Sequence, residues 1–210
     1  MGVTCLIVLL AYSFCIATAI TQAEFNAAVT SSGFRAPPQQ IYNSLTQSTS
    51  DFSREELAMF IAQLLHESVG FRYTEELGCS NNRCRKRYSD KVGLPEKSYH
   101  GRGYIQLTFG ENYKKASKGL GKGDLLLRQP ELVASDKNIA MQVSVYYWRT
   151  RVRRLLNQGN NSNLFGITTK AINGHECKNR ERAERRWKIY LKVANALHIA
   201  NKAKENGCYN

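Results

Sequence analysis

A chain of 210 residues with 30 Lys and Arg against 17 Asp and Glu carries a formal charge of +13. Its 42% hydrophobic and 22% charged residues are the composition of a folded protein, which excludes disordered and collagen-like chains. About 200 residues bury a real core and favour one domain, read as two lobes around a cleft.

Residues 1–19 hold no charged side chain, residues 6–16 are almost wholly apolar, and Ala17-Thr18-Ala19 is a small-x-small cleavage site. This reads as a signal peptide, followed by a single domain over 20–210 and a secreted product with no membrane association after cleavage. Removing the leader also removes Cys5 and Cys15 and leaves Cys79, Cys84, Cys177 and Cys208. Four cysteines in an exported chain suggest two disulfides with three possible connectivities. Closeness in sequence favours Cys79–Cys84 and Cys177–Cys208. Neither the cysteines nor the histidines fall at zinc-ligand spacing, so no metal is expected.

Helices are expected in chain order over residues 22–31, with Thr21 and Glu24 as a cap, and over 38–45 after Pro37. The strongest is 54–67, where Ser53 and Glu56 form a capping box and Leu57, Phe60, Ile61, Leu64 and Leu65 make an i, i+3, i+4, i+7, i+8 stripe. Further helices fit 112–119, 137–149 after Asp136, and 180–197. Residues 71–77 alternate weakly and 101–108 form a glycine-rich turn with a short extended piece. Residues 78–98 and 157–164 read as loops. The fold class is mostly α with minor β content.

Positive charge concentrates near the C-terminus, where residues 146–204 carry fourteen Lys and Arg against Glu176, Glu181 and Glu184. Such a face suits an anionic wall or matrix polymer. Export argues against nucleic acid as a partner.

The chemistry lies in the carboxylates. His66-Glu67 begins like a zinc-protease helix, but Gly70 stands where the second His belongs. On a helical wheel Glu67 falls at the margin of the apolar stripe and His66 on the opposite side. Desolvation of a marginally buried carboxyl favours its protonated form, as a general acid near neutral pH requires. Glu75 and Glu76 follow on the extended segment, and alternation sets Glu76 beside Arg72, whose guanidinium favours a carboxylate suited to a general base. One protonated and one ionised carboxyl across a cleft is what glycoside hydrolysis needs.

Three stretches then stand out: Phe60-Ile61-Ala62-Gln63-Leu64-Leu65-His66-Glu67-Ser68, Tyr99-His100-Gly101-Arg102-Gly103-Tyr104-Ile105-Gln106-Leu107-Thr108, and Ala171-Ile172-Asn173-Gly174. With Asp124-Leu125-Leu126, Pro130-Glu131-Leu132-Val133-Ala134-Ser135-Asp136, Tyr147-Trp148 and the terminal Cys208-Tyr209, they resemble the glycoside hydrolase family 19 chitinases over about 150 residues. The resemblance implies a lysozyme-like, two-lobed helical domain with a substrate cleft. It also implies an endo-acting, inverting attack of water on β-1,4-linked N-acetylglucosamine in chitin or chitooligosaccharides, without a cofactor, by a monomer.

Position by position, the resemblance makes Glu67 the acid and Glu76 the base, with Glu75 its rival, and gives Thr108 the attacking water. It makes Tyr99, Gln106, Asn112, Asn173 and Arg186 substrate-binding or site residues, with Arg185 the alternative to Arg186. Arg102 in Gly101-Arg102-Gly103 reads as structural. His100, Tyr104, Glu111 and His175 depart from the usual family residues and alter the cleft lining. The same motif set also occurs in peptidoglycan-cleaving enzymes, which the positive charge suits; a non-catalytic sugar-binding relative is the third reading, disfavoured by the presence of Glu67 and Thr108.

Overall fold

The computed structural model describes residues 20–209; the expected leader over 1–19 lies outside the described residues. The chain forms α1 (Gln22–Ser31), α2 (Gln39–Ser48), α3 (Arg54–Glu67) and, after a long irregular stretch, α4 (Gly110–Gly119). Two single turns, α5 (Leu125–Arg128) and α6 (Leu132–Ser135), lead into α7 (Lys137–Tyr147). A π-helical turn at Trp148–Val152 continues α7 into α8 (Arg153–Leu156). Then come α9 (Phe165–Asn173), a 3-10 turn at Gly174–Lys178, and α10 (Arg180–Ala196).

Local chemistry explains most of the ends. At α1 the Glu24 N–H donates to Thr21 Oγ1 (3.2 Å) and the Thr21 N–H donates to Glu24 Oε2 (2.7 Å), a complete capping box. At α3 only half of the expected box exists. Ser53 Oγ accepts from the Glu56 N–H at 3.1 Å, but the Glu56 carboxylate is drawn to Trp148 Nε1 (2.8 Å) and Arg153 Nε (2.7 Å). A buried indole and a guanidinium are stronger claimants than one backbone N–H.

The helix expected over 137–149 departs from regularity at Trp148, which is wholly buried and packs edge-on against Phe60 at 5.2 Å. The Thr150 hydroxyl donates back to the Tyr146 carbonyl at 2.8 Å, a bond that bends helices. At α9, which no sequence signal announced, Leu164 supplies no side-chain cap. The C-terminal tail caps it instead: Phe165 N–H donates to the Lys204 carbonyl (2.6 Å), and Lys204 N–H donates to Asn163 (2.9 Å).

α3 is the hub. Every residue from Leu57 to Leu65 is buried, Gln63 included, with α10 and α9 packed on it and α1 packed on α10. The expected one-sided stripe is therefore a helix buried on all sides, and His66 is largely enclosed rather than turned to solvent. Truncating a core ring such as Phe60 costs about 3–5 kcal/mol in comparable sites.

The minor β content among the described residues is isolated bridges, one of them parallel between Leu164 and Lys204 and two near the site. Glu75 bridges Arg102, and Arg102 bridges Leu107. Backbone bonds Glu76 N–H to Gly101 O and Gly103 N–H to Thr74 O, both 2.8 Å, pin the Glu75-Glu76 segment to the Gly101-Arg102-Gly103 turn. Both expected disulfides are present, Cys79–Cys84 and Cys177–Cys208.

Candidate active site

Glu67 is the last residue of α3, and the backbone beyond it turns sharply. Val69, Gly70 and Phe71 all sit in the left-handed region, at φ 50°, 72° and 63°. Ser68 locks the turn, its Oγ donating to the Leu64 carbonyl (2.6 Å) and accepting from the Phe71 N–H (2.8 Å). A side chain at Gly70 would overlap the Phe34 ring.

The Glu67 carboxyl is about 15% exposed and accepts from Arg186 Nη2 at 2.5 Å. Arg186 has no exposure; its other nitrogens donate to Gln63 Oε1 (2.6 Å) and Glu176 Oε2 (2.7 Å). The Gln63 amide donates in turn to the Thr168 and Thr169 hydroxyls of α9, at 2.8 and 3.0 Å. Asn173 Nδ2 donates to Glu176 Oε1 at 3.2 Å, and His66 Nε2 lies 3.5 Å from Glu176 Oε2. Burial alone would raise the pKa of Glu176. The hydrogen bonds from His66 and Arg186 outweigh it and pull the carboxyl down to about 2.

Arg186 touches Glu67, whereas Arg185 points outward toward exposed Glu181 at 3.5 Å. Sequence reasoning missed Glu176 and the part played by Gln63. Gln63 stands one turn before Glu67 on the same helix, which is a usable signal; Glu176 reaches the cluster through tertiary packing alone.

The second group gathers on the extended pieces. Glu76 accepts from Tyr88 OH at 2.9 Å and from the Gly101 N–H at 3.1 Å, with Arg87 3.5 Å away. The expected partner, Arg72, instead lies over the Tyr73 ring at 5.0 Å, because the segment is too short and bent to keep strand alternation. Glu75 is differently engaged: it accepts from His100 Nε2 (2.8 Å) and from the nearly buried Arg102 (3.2 Å). Burial would raise the pKa of Glu75, but the His100 hydrogen bond and the Arg102 charge hold it below the ordinary value. Burial lowers the pKa of His100, whose ring bridges Glu75 and the Ser98 hydroxyl. Glu75 is thus tied into a structural cluster, and Arg102 is the buried, paired group expected from the sequence.

Gln106 also sits in the left-handed region, at φ 54°, and its Nε2 donates to the Gly103 carbonyl at 3.0 Å. A Cβ at Gly101 would stand 2.7 Å from Gln106 Oε1 and 3.4 Å from Glu76 Oε2, so amide and carboxylate both border that glycine. The partly buried Thr108 makes no side-chain hydrogen bond among the described residues; its carbonyl accepts from Asn112 Nδ2 at 2.8 Å. α4, which carries Asn112, is capped from a distance, the Asp90 carboxylate accepting from the Glu111 N–H at 2.8 Å. Tyr99 is 1% exposed, its hydroxyl donating to the Leu127 carbonyl (2.7 Å) and accepting from the Leu94 N–H (3.0 Å), so it stands in the wall rather than at the surface.

The arrangement therefore brings Glu67, Arg186 and Asn173 into one cluster and Glu76 and Gln106 into another, with Asn112 holding the segment that bears Thr108. Val69, Leu77 and Phe109, the large apolar residues left exposed among the described residues, each follow Glu67, Glu76 or Thr108 within two positions. No group of described residues is arranged to hold a metal ion, and no described helix is long and apolar enough to cross a membrane.

The model of the family described as Chitinase class I matches residues 12–157. An endochitinase of Arabidopsis thaliana is 35% identical over 168 residues, 75% of this chain and 61% of the relative. A basic endochitinase of Brassica napus is 34% identical over 75% of this chain and 60% of its own. The chain thus spans about three fifths of the length of the curated relatives it matches. Among solved structures, chitinase C of Streptomyces griseus HUT6037 superposes with a TM-score of 0.71 at 25% identity, over 88% of this chain and 78% of that one. A class IV chitinase of Zea mays gives 0.60 at 27% identity, over 87% and 88%. The fold is the lysozyme-like helical fold of these neighbours.

Proposed function

Since the chain belongs to the family of class I chitinases, glycoside hydrolase family 19, we propose that it hydrolyses β-1,4-linked N-acetylglucosamine chains from within, with inversion. The observation that carries this reading is the Glu67 carboxyl, fixed at the end of the core helix by a wholly buried arginine yet partly open to solvent. Glu67 delivers a proton to the glycosidic oxygen as the bond breaks. The Glu76 carboxylate, with the unengaged Thr108 hydroxyl, takes a proton from water attacking the opposite ring face. An inverting pair stands about 6.5–9.5 Å apart to leave room for that water. Gln106, Asn112 and Asn173 offer amides to the N-acetyl groups and hydroxyls, Tyr99 backs the cleft wall, and Arg186 orients Glu67. No step calls for a metal or cofactor.

The competition between Glu75 and Glu76 is weighed by their partners. Glu75 is bound to His100 and the buried Arg102, whereas Glu76 is held by the Tyr88 hydroxyl and the Gly101 N–H and, like Gln106, borders Gly101, which favours Glu76 as base. The reading includes a cleaved leader over 1–19, one domain over 20–210, and a secreted monomer acting on chitin or its oligosaccharides; the two disulfides support an oxidising compartment.

The test is NMR of early products from chitohexaose, where fresh α-anomer is expected. Glu67→Gln should lower turnover by at least about 100-fold, the scale of general-acid catalysis, while oligosaccharide binding persists. Near-normal turnover in that variant would remove Glu67 from its role.

A further inference from the structure

A hollow of about 240 Å³ lies between two helical walls. Asn112 and Lys115, three residues apart on α4, share one wall. Tyr147, Thr150, Arg151 and Arg154 follow at three- and four-residue spacing along the other, from the end of α7 through the π-helical turn into α8. The volume lies below the roughly 300–1,000 Å³ of sites that enclose a whole ligand, as a subsite for part of a longer chain would.

The lining carries more positive charge than it neutralises. Lys115 pairs with Glu111 at 2.6 Å. Arg151 reaches only a neutral acceptor, Asn112 Oδ1 at 3.3 Å, and Arg154 makes no hydrogen bond or ion pair among the described residues. Two guanidinium groups are thus left without a carboxylate, and a guanidinium fork is the shape that receives one. The wide π turn resets the helix so that Arg151 comes round to Asn112. The hollow also adjoins the site: Asn112 lines it, and so does Leu107, the residue before Thr108.

We propose that this hollow is a subsite for an acidic sugar of the glycan being cleaved, with Arg151 and Arg154 receiving the lactyl carboxylate of an N-acetylmuramic acid unit. The inference rests on the glycosidase reading and extends its substrates from chitin to a glycan that carries acidic sugars. Chitin has no group that uses these charges, whereas a chain alternating N-acetylglucosamine and N-acetylmuramic acid presents one on every second sugar.

The test compares kcat/KM for a tetrasaccharide of that alternating chain with kcat/KM for chitotetraose. The ratio should fall about tenfold in Arg154→Gln, the scale of one charge-assisted hydrogen bond. Methyl esterification of the lactyl carboxylate should reproduce the loss in the unaltered protein. A ratio unmoved by both Arg154→Gln and Arg151→Gln would overturn the subsite. Calorimetry separates this from the hydrolase reading: the Glu67→Gln protein should bind the N-acetylglucosamine–N-acetylmuramic acid disaccharide more tightly than its methyl ester. Equal affinities for acid and ester, or tighter binding of inorganic phosphate, would reject the subsite even in a chain that cleaves neither glycan.

Discussion

Arg186 contacts two carboxylates and an amide from full burial, so its removal leaves Glu67 and Glu176 short of their shared cation. Arg186→Ala is expected to cost about 3–5 kcal/mol in urea unfolding, as breaking a buried ion pair does. Arg185→Ala, on the exposed neighbour, should stay within about 0.5 kcal/mol. Lysine at 186 should not restore the loss, because an ammonium cannot fork to three acceptors in a plane. What was legible at this scale divides by range. Glu67 stands out from helical position beside apolar residues, and Glu75-Glu76 from the following extended piece. Glu176 was only one more acidic residue in a basic stretch, because its place depends on α10 folding back over α3.

Among the elements, α3 was readable to both ends because its signals are local, a serine cap and a long apolar run. α9 was not, because its cap is the backbone of the tail about forty residues on. The wheel argument for α3 failed for a related reason: a stripe predicts a surface helix, and this helix has neighbours on every side. The turn that ends α3 carries its own prediction. Val69 is β-branched, about half exposed and left-handed, a conformation costing roughly 1–2 kcal/mol for such a residue. Val69→Asn should therefore raise stability by about 1 kcal/mol, read as a higher thermal midpoint, since asparagine tolerates this region. Gly70→Ala should lower it by at least about 1 kcal/mol, through the same backbone cost and the overlap with Phe34.

For the molecule as a whole, acid sets a limit. Glu24 pairs with Arg54, Asp51 with Arg149 and Arg153, and Glu176 with Arg186. Burial would raise the pKa of each; hydrogen bonds and nearby positive charge prevail, and all three fall to about 2 from ordinary values of 4.5, 3.8 and 4.5. Because the folded values lie below the unfolded ones, the stabilisation is complete above about pH 4.5 and lost as pH falls toward 2. Thermal midpoints by circular dichroism should be flat from pH 7 to 5 and drop steeply below 4, with a shallower drop in Glu24→Gln. Helical class and a basic C-terminal third could be read from composition and periodicity. Which of the many cations find carboxylates could not, since most of these pairs join separate elements.

The arginine that holds Glu67 is encoded 119 residues after it, and 123 after Gln63. During synthesis α3 therefore leaves the ribosome as nine consecutive side chains that need covering, well before its packing partner exists. Contacts of such separation make folding slow and leave apolar surface exposed meanwhile. A nascent chain arrested before α10 should remain protease-sensitive around α3, and become resistant only once α10 has emerged from the ribosome.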